Sequence, residues 1–198
     1  MAFFYARIGI YVVVTLIGFQ VLIMAVIHSS VPSAFFDDGG PWEWVEFSFI
    51  AASAAILLVN ARVSDSYRTL LQLFGLLAIF AAVRELDQFF DRLTFKGAYK
   101  LINGPLIVFC GYFVWRHRRV LPEMLANFSK TAPFYFIFLG FLVVVVYAQL
   151  MGQQDLWKAI MGDSYMRIAK RATEEILEVL GYLLILFGAV ETFFLQRR

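Results

Sequence analysis

The sequence predicts an all-α, polytopic integral membrane protein, a compact bundle of about six transmembrane helices. Of its 198 residues, 61% are apolar and 18% are aromatic, against roughly 45–50% apolar content in soluble domains. The apolar residues form long runs, and a hydrocarbon core about 30 Å thick needs roughly 20 helical residues per crossing. Six runs approach that length, which predicts a single transmembrane domain, residues 1–198, with short loops.

The first two helices are predicted at residues 8–27 and 43–60. The first apolar run follows Arg7 and is longer than the core of a signal peptide, so we expect this helix to be retained. The second follows a loop rich in proline and glycine, residues 28–41, and carries the small-residue run Ser48 to Ala55. Small residues let helices approach closely in lipid, which favours a central position for this helix.

The third helix is predicted at residues 67–90. Its uncharged stretch ends at Val83, which is too short for a span, so we expect the helix to continue through Arg84 and to place its charges at interface depth. The fourth helix, residues 99–115, contains Asn103-Gly104-Pro105 near its start. Proline removes a helical hydrogen bond, so we expect the first turns of this helix to be disturbed.

The last two helices are predicted at residues 133–150 and 172–195. The fifth is almost purely apolar, and we expect it to face lipid more than the others do. Residues 153–171 mix apolar and charged side chains, as an amphipathic helix at the membrane interface does. In the sixth helix Gly181 and Gly188 lie one heptad apart, which favours close packing within the chain or between chains.

The distribution of basic residues predicts an orientation. Six spans place both ends of the chain on one side of the membrane. The first loop has no Lys or Arg, whereas the densest basic cluster, Arg116 to Arg119, follows the fourth helix. The positive-inside rule therefore favours cytoplasmic termini. We expect a multi-pass protein of a bacterial-type inner membrane.

Polar residues gather at one membrane face if the chain crosses six times. The end of helix 1, the start of helix 2, the end of helix 3 and the start of helix 6 then lie together. These ends carry His28, Glu43, Glu46, Arg84, Glu85, Asp87, Asp91, Glu174, Glu175 and Glu178. Helical periodicity puts Arg84 and Asp87 on one face of their helix. It puts Glu178 and Tyr182 on one face of theirs. The sequence thus predicts a carboxylate-rich recess.

The predicted recess has candidate residues for three roles. The candidates for acid–base catalysis are Glu46, Glu85, Asp87 and Glu178. The candidates for substrate binding are Arg84, which suits a phosphate, and Tyr182. The candidates for binding Mg²⁺ or Ca²⁺ are Glu46, Asp87, Glu175 and Glu178, with His28 as a further ligand. Such hard cations prefer oxygen ligands, and a bound ion would offset the repulsion among the acids.

This location favours binding or processing of a lipid-like or headgroup substrate, with a divalent cation as candidate cofactor. Ionisable groups at this depth are costly unless they pair or face water. A non-catalytic subunit or scaffold of a membrane complex is the first alternative. A cation- or proton-coupled transporter is the second, although transport sites usually lie near the midplane. A further interpretation is structural, because acids in a first turn complement the helix dipole, as Glu43, Glu174 and Glu175 would.

Composition disfavours several other classes. With 17 basic and 15 acidic residues the net charge is +2, without the basic stripe that nucleic-acid binding needs. Cys110 is alone, so the chain builds no internal disulfide and no thiolate metal site. The Glu-x-x-His pairs of di-iron bundles do not occur in the sequence. The expected partners are membrane lipids, and a second copy of the chain or another membrane protein.

Overall fold

The structure, a computed structural model, describes residues 2–37 and 39–195, and within these residues every regular element is helical. The α-helices are α1 (Ala2–Ile27), α2 (Pro41–Val63), α3 (Arg68–Glu85), α4 (Asp87–Leu93), α5 (Lys100–Arg116), α6 (Leu121–Phe128), α7 (Ala132–Leu142), α8 (Gln149–Met151), α9 (Gln154–Met161) and α10 (Arg167–Leu195). A π-helical stretch, Val143–Ala148, joins α7 to α8, and short 3₁₀ turns lie at Pro32–Phe36 and Gly162–Ser164. The all-α prediction is confirmed.

Four helical segments are long and apolar enough to cross a membrane. They contain α1, α2, the run from α7 to α8, and α10. A fifth results when α3 and α4, which meet at a bend of 54°, are counted as one broken span. Helix α5 has 17 residues, about 25 Å of helix, which is shorter than a hydrocarbon core of about 30 Å. Length and composition thus give four to five spans, and the predicted count of six is not reached on these grounds.

Helix α2 lies between α3 and α10 and packs against both. Ser53 and Ala54 of its small-residue run are buried. On α3, a Cβ added to Gly75 would meet the side chain of Leu58 of α2 at 2.7 Å. The small residues of both helices therefore allow the close approach that the sequence predicts, and the central position of α2 is confirmed.

The contact between α7 and α10 corrects the expectation that the fifth predicted helix faces lipid more than the others do. A Cβ on Gly140 would meet the carbonyl oxygen of Gly181 at 2.5 Å, and a Cβ on Gly188 would meet the backbone nitrogen of Ile137 at 2.9 Å. The two helices thus touch backbone to backbone, and these glycines serve packing within the chain. Helix α1 is more exposed, since none of the described residues in its apolar window is buried.

Two predicted helices differ from the structure near the polar end of the bundle. The predicted helix 67–90 is divided, because α3 ends at Glu85 and α4 leaves at 54° beyond Leu86. The bend falls where the apolar run gives way to charged residues. In α5, by contrast, Pro105 lies inside an uninterrupted helix, and it removes one hydrogen bond without breaking the first turns.

The predicted interfacial helix 153–171 is shorter in the structure. Helix α9 ends at Met161, where Gly162 adopts a φ of +54° that glycine tolerates and other residues rarely do. Residues 167–171 belong to α10, which therefore begins earlier than the predicted 172. Its first turns add basic residues to the polar end of the bundle.

Helix α5 runs from one end of the bundle to the other. Tyr99, immediately before α5, lines a recess together with Glu43 near the start of α2. Val120, after α5, lies beside Tyr67 at the start of α3. Phe128 of α6 also contacts Tyr67, with ring centroids 5.4 Å apart. The chain has therefore returned to the opposite end before α7 begins.

Candidate functional site

The candidate site lies where α2 and α10 begin and α3 ends. Proline at the first position of α2 fixes its start, so Glu46 lies in the second turn. The antiparallel packing of α2 with α3 brings Glu85 to the same level, and α10 adds Glu178. One carboxylate oxygen from each of these residues lies within 4.8 Å of the others. We call Glu46, Glu85 and Glu178 the acidic triad.

Glu46 is the most buried member of the acidic triad. It is 0% exposed, and among the described residues neither of its carboxylate oxygens has a hydrogen-bond partner. One oxygen of Glu175 and the indole nitrogen of Trp42 are likewise buried without a hydrogen-bond partner among the described residues. Desolvating an ionised carboxylate without a partner is costly, so a proton or a cation has to accompany Glu46.

Glu85 is held from two sides. The Tyr182 hydroxyl donates a 2.5 Å hydrogen bond to Oε1 of Glu85, and Nη2 of Arg84 donates to the same oxygen at 2.8 Å. Tyr182 is 2% exposed and is not among the described residues that line the recess. Its hydrogen bond to Glu85 supports a role in positioning that carboxylate, and substrate binding by Tyr182 stays a prediction.

Arg84 combines a salt bridge with an open side. Its Nη2 lies 2.8 Å from Oε1 of Glu85 and 3.9 Å from Oε1 of Glu178. At the same time 45% of its side chain is exposed, and it lines the recess. Arg84 therefore compensates part of the charge of the triad and still exposes part of its guanidinium to the recess, while its role in substrate binding stays a prediction.

Glu178 has a neighbour that sequence reasoning missed. Nε2 of Gln149, at the end of the helical run that starts with α7, donates a 3.2 Å hydrogen bond to Oε1 of Glu178. The sequence contains the signal, since six predicted crossings place the ends of the third and fifth helices at the same face. Gln149 was overlooked because it carries no charge.

The recess above the triad has a volume of about 410 Å³. It is lined by Glu43, Arg84, Glu85, Asp87, Gln88, Tyr99, Arg167, Lys170, Arg171, Glu174, Glu175 and Glu178. Two outer acids have basic partners four residues away: Lys170 is 3.0 Å from Glu174, and Arg171 is 3.6 Å from Glu175. The rim is thus charge-paired, while the triad holds three carboxylates beside one arginine.

The remaining predicted ligands lie outside the triad. Asp87 and Glu175 line the recess but do not belong to the group whose oxygens converge within 4.8 Å. His28 is exposed at the end of α1, and its Nδ1 lies 2.8 Å from the carbonyl oxygen of Met24 in its own helix. The acidic triad therefore contains Glu85, which the sequence suggested only for catalysis. It does not contain Asp87, Glu175 or His28.

A narrow groove reaches the recess from the flank of the bundle. It has a volume of about 50 Å³ and is lined by Gly39, Glu43, Trp44, Glu85, Leu86, Phe89 and Arg92. Trp44 and Phe89 are 48% and 44% exposed, and their rings meet edge to face with centroids 6.1 Å apart. We call this the side groove, since it places two exposed aromatic rings next to the polar recess.

A second polar cluster, also missed, lies at the opposite end of the bundle. Nε and Nη2 of Arg7 donate to Oε1 and Oε2 of Glu191 at 2.6 and 3.0 Å, and the hydroxyl of Tyr11 donates to Oε1 at 2.8 Å. Glu191 is 3% exposed. The signal was an acid inside an apolar run, at the end of the helix that parity places beside Arg7.

The chemistry of the recess follows from its side chains. Among its described lining residues there is no Ser, Thr, Cys or His, so the groups available are carboxylates, basic side chains, one amide and one phenol. These groups bind cations, phosphates and hydroxyls, and a carboxylate can act as a general base. No protein-family model, curated protein or solved structure matches this chain. Its function is therefore argued from this geometry.

Proposed function

We propose that this chain is a six-pass integral membrane protein whose recess binds the headgroup of a lipid-like substrate. The observation that carries this proposal is a shared wall, because Glu43 and Glu85 line both the polar recess and the side groove beside Trp44 and Phe89. A molecule with a polar head and an apolar chain fits two such connected sites. A ligand that is polar throughout would need only the recess.

One contact and the path of one helix support six crossings. Arg7 pairs with Glu191, so the first and last helices run antiparallel and the described ends of the chain meet at one end of the bundle. Helix α5 connects the two ends of the bundle, and with α1, α2, α3, the α7–α8 run and α10 it makes six passes. A helix of 17 residues spans a membrane when flanking polar residues extend to the interface.

The charges of the recess favour a headgroup that contains phosphate. Arg84, Arg167 and Lys170 line it, and a guanidinium binds phosphate oxygens through paired, charge-assisted hydrogen bonds. The carboxylates beside them accept hydrogen bonds from hydroxyl or ammonium groups of the same headgroup. Trp44 suits the level of the headgroups, where indole rings are enriched.

Processing of the bound substrate is a separate prediction. A general base must reach its proton through a hydrogen bond or one water, and Glu85, Asp87 and Glu178 line the recess where such a contact forms. Glu46 lies deeper and acts only through its neighbours. An acid–base role for these four residues stays a prediction.

The proposal is tested by comparing the binding of an intact phospholipid with the binding of its headgroup part and of its acyl part. Purified protein in detergent is titrated with short-chain phosphatidylglycerol, with a diacylglycerol of the same chain length, and with glycerol phosphate, and binding is followed by native mass spectrometry. We expect the phospholipid to bind at least about tenfold more tightly than either part, because only it occupies both recess and groove.

Two variants complete this test. Arg167→Gln removes an exposed basic group from the rim, and we expect it to weaken phospholipid binding about tenfold, the loss of one charge-assisted hydrogen bond. Arg116→Gln, at the opposite end of the bundle, is the control and should bind as the wild type does. Equal affinity for phospholipid and diacylglycerol, unchanged by Arg167→Gln, would contradict the proposal and favour a scaffold. Cation flux in proteoliposomes without headgroup binding would favour a transporter.

A further inference from the structure

We infer that the acidic triad is a divalent-cation site of the Ca²⁺ type, in which Glu46, Glu85 and Glu178 each supply a carboxylate oxygen. This site lies below the recess and does not depend on the nature of the lipid-like substrate. It assigns a cofactor to the buried end of the site, where the proposed function needs none.

The spacing of the triad accommodates an ion of the size of Ca²⁺. Three atoms within 4.8 Å of one another lie at most about 2.8 Å from a common centre. Calcium binds oxygen at about 2.3–2.6 Å, whereas magnesium requires about 2.0–2.1 Å in a strict octahedron. At that upper limit the carboxylates would close by a few tenths of an ångström to reach Ca²⁺, and by roughly twice as much to reach Mg²⁺.

The burial of Glu46 provides the second, independent observation. Acidic clusters at helix ends are common and are usually solvated, but Glu46 is 0% exposed and, within the described part of the chain, both of its oxygens are unpartnered. No N–H or hydroxyl group in the described part of the chain donates to it. The polar group beside it is the carboxyl of Glu175, which donates nothing to Glu46 when both are ionised. A cation placed between Glu46, Glu85 and Glu178 supplies the missing interaction.

The local charge fits a divalent ion. The triad contains three carboxylates, and Arg84 contributes one positive charge at 2.8 Å from Glu85 and 3.9 Å from Glu178. The neighbouring acids Glu174 and Glu175 have their own basic partners. The formal charge left at the triad is therefore two negative, which a divalent cation neutralises.

The recess and its neighbours can supply the further oxygen ligands that Ca²⁺ needs. Ca²⁺ takes six to eight oxygens, so three carboxylates need to bind in part through both oxygens or with added water. Glu85 and Glu178 line the recess, which admits water and the ion. Gln149 already contacts Glu178, and its amide oxygen is an uncharged candidate for a further ligand.

The experiment uses full-length protein in detergent, first treated with a chelator. Ca²⁺ and Mg²⁺ are titrated separately, and both thermal unfolding and Tb³⁺ luminescence are recorded, with Trp42 and Tyr182 as sensitisers beside the triad. We expect one saturable site, with Ca²⁺ at least about tenfold tighter than Mg²⁺. At ten times the dissociation constant, Ca²⁺ should raise Tm by about 4 °C.

Variants distinguish the ion from a protonated Glu46. Glu46→Gln keeps the shape of the side chain, so it should remove the Ca²⁺ response while leaving the metal-free protein at least as stable as the wild type. Glu178→Gln, at the recess side, should weaken Ca²⁺ binding at least about tenfold and provides a second reading. Glu123→Gln, an exposed acid at the opposite end, should respond as the wild type does.

Two results would show that the acidic triad is not a cation site. If wild-type protein binds no Ca²⁺ in the millimolar range, the site does not exist, and a Glu46→Gln variant as stable as the wild type then indicates that Glu46 carries a proton. Equal Ca²⁺ binding by wild type, Glu46→Gln and Glu178→Gln also overturns it, because the ion is then bound elsewhere. Loss of headgroup binding with an intact Ca²⁺ response would contradict the proposed function alone.

Discussion

The hydroxyl of Tyr182 on α10 donates its hydrogen bond to Oε1 of Glu85, the last residue of α3. Arg84 donates to the same oxygen from the side that faces the recess. One carboxylate oxygen is therefore fixed between a buried phenol and an exposed guanidinium. The position of Glu85 within the acidic triad thus depends on Tyr182, which is 2% exposed.

Tyr182→Phe should reveal this dependence. The substitution removes one hydrogen bond to a charged group and keeps the ring in place, so we expect a loss of about 1.5–2 kcal/mol in the free energy of unfolding. Chemical unfolding in detergent measures this loss. Tyr147→Phe is the matched control, since Tyr147 is 54% exposed, and it should change stability by less than about 0.5 kcal/mol. Equal effects of both substitutions would show that the phenol of Tyr182 does not hold Glu85.

The contact between α7 and α10 allows a second prediction. In Gly140→Ala the new methyl group would lie 2.5 Å from the carbonyl oxygen of Gly181, a backbone atom that moves only with its helix. We expect the free energy of unfolding to fall by about 2–3 kcal/mol.

The matched control for this prediction is Gly111→Ala on α5. Nothing in the described part of the chain lies within 4 Å of a Cβ at Gly111, so better helix propensity should stabilise the protein by about 0.5–1 kcal/mol. Thermal unfolding of both variants in the same detergent gives opposite signs if the glycines act as described. A neutral Gly140→Ala would show that α7 and α10 are not in backbone contact.

Much of the site could be predicted from the sequence, because the order of the apolar runs and the helical repeat place residues at helix ends and on helix faces without knowledge of the packing. Hydropathy locates the helices, and an even number of predicted crossings between them places Glu46, Glu85 and Glu178 at one end without any knowledge of helix rotation, where the structure also brings them together. The bend at Leu86 did not follow, since the hydropathy of a segment says where it can lie but not where its axis turns. The role of Tyr182 also did not follow, because it depends on how α10 is rotated against α3.

The cluster at the other end was missed for a related reason. Arg7 and Glu191 are each isolated in sequence, and neither belongs to a charged run that draws attention. Only tertiary packing makes them a pair. Since α1 is largely exposed along its length, its polar anchor has a larger effect than a pair on the surface of a well-packed bundle.

A double-mutant cycle tests this anchor. Arg7→Gln leaves Glu191 buried at 3% exposure without its cation, and we expect a loss of about 2–3 kcal/mol, below the value for a fully buried pair because Arg7 is 19% exposed. Adding Glu191→Gln should restore part of that loss, since no uncompensated charge is then buried. Arg62→Gln, an exposed arginine of α2, is the control. Strictly additive losses in the cycle would contradict a direct interaction between the two side chains.

The six-pass arrangement predicts which loops share a side of the membrane. With α5 counted as a crossing, Lys96 before it and Lys158 in α9 lie at the end of the bundle that holds the acidic triad, whereas Lys130 before α7 lies at the end that holds Arg7. All three lysines are exposed. Single cysteines at these positions, in a Cys110→Ala background, therefore report the path of the chain.

Labelling with a membrane-impermeant maleimide in sealed vesicles measures this. We expect Lys96→Cys and Lys158→Cys to react from the same side and Lys130→Cys to react from the other, because α5 and the α7–α8 run each carry the chain across once. A five-span arrangement, in which α5 does not cross, would instead place Lys96 and Lys130 on one side. That result would also separate the carboxyl end of α3 from the start of α10 across the membrane, which contradicts the hydrogen bond between Glu85 and Tyr182.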